Sequence, residues 1–277
     1  MSHEVAQKRG LRVVVLGDSV AFGYRVPTAY DQKRGLVFDR AERPYPELVE
    51  ERLRVRFNRS DIEVIPLAVP GYSSSQGLAW LERDVAELKP DAVVASFGWN
   101  DLRTAGLPDR VTLPSSFLQI LLRRLIASSQ FLLHVKGAPS AGPSTPAVAE
   151  PRTSDDEYVS NFLKMAEICK REGAWFGILL PVYRDPNVPG IDPEKPQDRG
   201  NPDEGRRMTF YRHRLRAEAQ IARIPTLEIS KLTEGAWPGN RRLFGERIHP
   251  NAAGHVLIAG RLAEFLREPL ERLQARQ

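Results

Sequence analysis

Five short apolar runs, each handed on to a helical pattern, constrain this chain more than any other feature. They lie at 12–16 (RVVVL), 62–67, 92–97 (AVVASF), 174–180 and 224–229. Helix-period segments follow at 46–57, 75–88, 154–172, 203–222 and 252–266, with Ser73 or Ser74 available to cap the second of them. Nearly continuous apolar strands alternating with helices fit a parallel sheet covered on both faces. Right-handed crossovers then wind such a chain into a three-layer α/β sandwich. We therefore expect a mostly parallel five-stranded sheet. In that architecture ligands bind beyond the carboxyl ends of the strands.

The chain of 277 residues is 42% hydrophobic, which suffices for one large core. The expected organisation is a polar tail at 1–10 and one domain over 11–277, with long insertions near 104–153 and 184–205. The first insertion holds a leucine- and isoleucine-rich stretch at 115–135, followed by a Pro/Ala/Gly/Ser run at 137–151. That stretch reads as a helix packed on the domain, and contact with a membrane surface is the weaker reading. The second insertion has five prolines and no periodicity, so it reads as a surface loop. No run of 18 apolar residues is present to span a bilayer, and the first residues lack the apolar core of a secretory signal. A soluble chain is the expectation. Its compartment stays open, because a leader trimmed from a longer precursor would leave the same sequence.

Four separated blocks fall at or after the expected strand ends. These are Gly17-Asp18-Ser19, Gly71, Gly98-Trp99-Asn100-Asp101 and Glu246-Arg247-Ile248-His249. A serine hydroxyl is a poor nucleophile until a base takes its proton, so Ser19 needs an imidazole. His249 suits that role because Pro250 and Asn251 stop the preceding loop and start the last helix. Glu246, three residues earlier, can accept the Nδ1–H bond that leaves Nε2 as the base. The Gly71 and Ser19 N–H groups and the Asn100 amide would supply an oxyanion hole. Plainer readings exist for each: Ser19 as a helix cap, Gly71 as a Pro-Gly turn, Asn100 as a turn amide and Glu246 as a surface residue. His3, His134, His213 and His255 carry no comparable context and read as surface or packing residues. The one cysteine, Cys169, falls in a helical pattern and reads as a buried, inert thiol.

Taken together, the blocks resemble the SGNH hydrolases, the GDSL-like esterases and lipases, whose letters correspond here to Ser19, Gly71, Asn100 and His249. The resemblance runs from about Leu11 to Leu266 and includes Gly23 and the His249-Pro250-Asn251-x-x-Gly254-His255 segment. It implies a flavodoxin-like sheet, structural hydrogen bonding by Asp18 and Asp101, and no cofactor or metal. Members of that family usually carry aspartate three residues before the histidine, where this chain has Glu246. The implied activity is carboxylic-ester hydrolysis through an acyl-enzyme, on short-chain or O-acetyl esters of small molecules or glycans. A glycan O-acyltransferase or deacetylase, and a non-catalytic binding module, are the alternatives.

The remaining composition narrows the partners. A formal charge of +5 suits a solvated basic surface, and the basic residues form no long block beside a nucleic-acid motif. No partner is therefore expected beyond an ester substrate, and oligomeric state stays open. Neither a GxGxxG nor a GxxxxGK[ST] loop follows any strand, which argues against a nucleotide site. The G-x-S-x-G elbow of the α/β-hydrolase fold is also missing.

Overall fold

The computed structural model describes residues 8, 10–24, 26, 42–104, 108–109, 150–182, 202–229, 243–244 and 248–275. The 115–135 stretch, most of 184–205 and Glu246 lie outside the described residues. In chain order the elements are β1 (Arg12–Gly17), α1 (Ser19–Phe22), α2 (Tyr45–Phe57), β2 (Glu63–Ala68), α3 (Ser74–Leu88), β3 (Ala92–Ser96) and α4 (Trp99–Leu102). They continue with α5 (Asp155–Arg171), β4 (Trp175–Leu179), α6 (Pro202–Ile221), β5 (Thr226–Leu227) and α7 (Ala252–Gln274).

The five strands form one all-parallel sheet in the order β2-β1-β3-β4-β5. Its order reverses between β1 and β3, the place where a crevice opens at the strand ends. Strand side chains alternate between two cores. Val14 and Leu16 of β1 join α3, α5 and α6 on one face. Val13 and Val15 join α2 and α7 on the other. Fully burying each such side chain stabilises the fold by about 1.5–3 kcal/mol, so both helical layers are held firmly to the sheet.

Local chemistry explains where the helices begin. Ser73 caps α3 in a reciprocal box with Gln76, and Ser154 does the same for α5 with Glu157. Two expectations need correcting. The last helix runs past 266 to Gln274, through Pro269, because Leu262, Leu266 and Leu270 continue its buried stripe at four-residue spacing. The fifth strand shrinks from 224–229 to two residues. Arg223 takes a left-handed conformation at φ 57, and Pro225 has no N–H for a ladder.

The outer edge of β2 has its own signature. Glu63 N–H points towards β1, onto Leu11 O, so residues 64, 66 and 68 direct their backbone nitrogens outward. Pro66 has no N–H to offer, and the Val64 N–H donates to the Glu50 carboxylate at 2.8 Å. Among the described residues no helix is long and apolar enough to cross a membrane.

Candidate active site

Strand β1 ends at Gly17, where a Cβ would sit 2.7 Å from that of Ala21, so glycine allows α1 to start hard against the strand. Asp18 caps this helix, its Oδ1 accepting from Val20 N–H at 2.9 Å. The plainer reading of Ser19 as the cap therefore does not hold. Its hydroxyl instead lies 2.8 Å from His249 Nε2, across 230 residues of chain. As the first helical residue, Ser19 also has an N–H without an intrahelical acceptor.

The His249 segment is held by its own backbone. Phe244 and Pro250 form an antiparallel bridge, and Asn251 N–H donates to Leu243 O at 2.9 Å. Asn251 caps α7 by accepting from Gly254 N–H at 3.1 Å. Gly254 is required here, since a Cβ would lie 2.2 Å from Leu243 O. The Tyr24 ring packs on the imidazole at 4.9 Å between centroids. His255 is structural, its Nδ1 accepting from Tyr45 N–H at 3.0 Å. Burial pulls the His255 pKa down to about 4, which keeps that ring neutral.

Gly71 follows β2 in a turn closed by Tyr72 N–H donating to Val69 O at 3.1 Å. Pro70 in the second position and Gly71 at φ 87 give the pattern of a type II turn. The Gly71 N–H makes no hydrogen bond to a described residue. Asn100 is the second residue of α4, after β3. Its Nδ2 donates to Tyr72 O at 3.0 Å and, more weakly, to Asp18 Oδ2 at 3.4 Å. The amide is thus tied to both neighbouring blocks, and the bond to Asp18 is the one it can give up at little cost. These contacts join Ser19 to His249 and tie Asn100 to Asp18 and Tyr72, the neighbours of Ser19 and Gly71, at the carboxyl end of the sheet. Glu246 lies outside the described residues.

Two buried carboxyls support the floor. Asp101 is wholly buried and accepts from Ser74 N–H at 3.0 Å and from Ser74 Oγ at 2.5 Å. Burial pushes Asp101 up to about 7 and Asp18 up to about 6. A carboxyl raised in this way keeps its proton in the folded state after the unfolded chain has lost it. Its contribution is therefore fully present below about pH 4 and is lost as the pH rises towards 7. Urea unfolding at several pH values should show wild type losing stability relative to Asp101→Asn across that window. The change should be on the order of 4 kcal/mol at most. A difference that stays flat with pH would show that Asp101 is not the titrating group.

Three features of the site carry no sequence signal. Arg152 and Asp109 meet beneath the Gly71 turn, and Tyr24 flanks His249. Their residue types and spacing match nothing in the blocks. Cys169 is buried, and burial pushes its thiol up to about 12. Among the described residues no cluster of three or more His, Cys, Asp or Glu is placed to hold a metal ion.

Comparison with solved structures places this fold among known hydrolases. It is similar to LAE5, an alpha/beta hydrolase enzyme from the metagenome of Lake Arreo, at 19% identity and TM-score 0.57, covering 92% of this chain and 94% of that one. The lipase/acylhydrolase from Enterococcus faecalis is similar at 15% identity and TM-score 0.57, covering 93% and 96%. Axe2, an acetylxylan esterase from Geobacillus stearothermophilus, is similar at 19% identity and TM-score 0.54, covering 94% of each chain. A search of curated proteins finds no match. The model of the GDSL-like Lipase/Acylhydrolase family matches residues 15–257, a span that takes in the end of β1 with Ser19, the Gly71 turn, α4 and the His249 segment. The chain therefore belongs to the GDSL-like lipase/acylhydrolase family of hydrolases.

Proposed function

We propose that the protein is a serine carboxylic-ester hydrolase that works through an acyl-enzyme on Ser19. The observation that carries this reading is the 2.8 Å contact between Ser19 Oγ and His249 Nε2 at the open end of the sheet. In it, the serine oxygen attacks the ester carbonyl carbon while its proton passes to Nε2. The carbonyl oxygen, now negative, is held by Ser19 N–H, Gly71 N–H and the Asn100 amide, which exchanges its long bond to Asp18 for the anion. His249 then returns the proton to the departing alcohol oxygen as the carbon–oxygen bond breaks. Water, deprotonated by the same imidazole, then attacks the acyl carbon; the bond to Ser19 Oγ breaks, His249 returns the proton to that oxygen, and the carboxylic acid leaves. Glu246 is the proposed acid that orients His249.

Short-chain and O-acetyl esters are the proposed substrates, and likeness to an acetylxylan esterase supports the glycan side of that class. The test is a panel of p-nitrophenyl esters from acetate to octanoate, run beside acetylated xylo-oligosaccharides and a fluorophosphonate probe. We expect turnover to be highest on acetyl groups and the probe to label Ser19 stoichiometrically. A protein that neither turns over nor labels would be the binding module instead. Acyl transfer to a sugar in preference to water would mark a transferase.

A further inference from the structure

We infer that Arg152 is a positioning residue for the oxyanion donor at Gly71, which it controls by pinning the carbonyl of that same residue. The inference rests on the ester-hydrolase reading above. Arg152 reaches the site from the strand-like pairing of Thr104 with Pro151, where the chain returns from the first insertion. Its side chain is 17% exposed and lies against the underside of the 69–72 turn. Nη1 donates to Gly71 O at 2.7 Å, and Nη2 donates to Gln76 Oε1 at 2.7 Å. Nε and Nη2 grip the two oxygens of Asp109, each at 3.1 Å.

Each partner of the guanidinium is itself fixed. Asp109 accepts from Ser73 Oγ, and its N–H donates to Arg152 O at 2.8 Å. Gln76 and Ser73 form the capping box of α3. The planar fork therefore joins the start of α3, the neck of the insertion and the turn into one rigid unit. An ammonium group, a single point of charge, cannot hold all three at once.

The donor needs a fixed place as well as a direction. Its direction follows from Gly71 at φ 87, a conformation glycine adopts without strain. Its place is set by the two carbonyls that follow it, Gly71 O held by the charged Arg152 and Tyr72 O held by Asn100. The turn that carries the Gly71 N–H is therefore fixed against α3 and α4. Arg152 thus sets the distance from that donor to the reacting carbon without touching substrate. Loss of the anchor would lower the fraction of molecules with a complete oxyanion hole, which lowers kcat and leaves KM nearly unchanged.

A double-mutant cycle on p-nitrophenyl acetate tests this. Arg152→Lys should lower kcat by about 10–50-fold, less than the roughly 10²–10³-fold cost of losing one oxyanion donor outright, with KM altered by less than about threefold. In a Gly71→Ala background the same change should cost less than about threefold, because both act through one N–H. Arg152→Met paired with Asp109→Asn removes the cation and its partner charge together. It should reproduce the pattern if Arg152→Lys fails to fold. Losses that multiply independently, or a wild-type kcat in either Arg152 variant, would overturn the inference while leaving the hydrolase reading intact. A wild-type protein with neither ester turnover nor Ser19 labelling would remove that reading, and the inference with it.

Discussion

Alanine at position 19 is expected to lower kcat on p-nitrophenyl acetate by about 10⁵–10⁶-fold, the loss typical when the nucleophile of a serine–histidine unit is removed. The residual rate would come from water attacking a carbonyl still polarised by the oxyanion donors. Stability should change by no more than about 0.5 kcal/mol, since the hydroxyl caps no helix; Asp18 does that work. Initial rates and a melting curve on the same preparation check both halves. A Ser19→Ala protein that hydrolyses the ester at the wild-type rate would end the assignment.

Gly71→Ala should follow as the next largest loss, up to about 10²-fold in kcat, with KM little changed. Its cause is conformational rather than steric. Nothing lies within 4 Å of the position a Cβ would take, so the methyl group has room. At φ 87, however, an L residue is strained by about 1–3 kcal/mol, and the turn relieves this by flipping its central peptide. The N–H then faces away from the reacting carbon. Gly98 differs in kind, because a Cβ there would lie 2.8 Å from Pro181 Cγ and clash directly. A Gly71→Ala enzyme within threefold of the wild-type kcat would show that the oxyanion is held by other groups.

Much of this architecture was legible in the sequence, for identifiable reasons. Strands buried on both faces must be nearly all apolar, so 12–16 and 92–97 announced themselves. Ser19, Gly71 and Asn100 sit just beyond strand ends, where the fold puts its crevice. A cap for α3 was legible as Ser73 or Ser74, and the reciprocal box with Gln76 shows that Ser73 serves. What sequence missed depends on contacts between distant segments. Pro269 would end an isolated helix, yet Leu270 is buried and carries α7 onward. Asp18 and Ser19 are both good caps, and only the Val20 N–H bond tells which one serves. Arg152 has no motif around it, because its meaning lies in a carbonyl 81 residues away.

The β2 edge carries a consequence for the protein's behaviour in solution. An added strand from another molecule would look there for a row of amide hydrogens. At position 66 it finds a pyrrolidine ring, and at 64 an amide already claimed by Glu50. Strand swapping and fibre-like stacking therefore gain little purchase on that flank. At the opposite margin β5 is two residues long, preceded by Pro225, and too short to template a ladder. Among the described residues, both margins of the sheet therefore offer a poor template for an added strand.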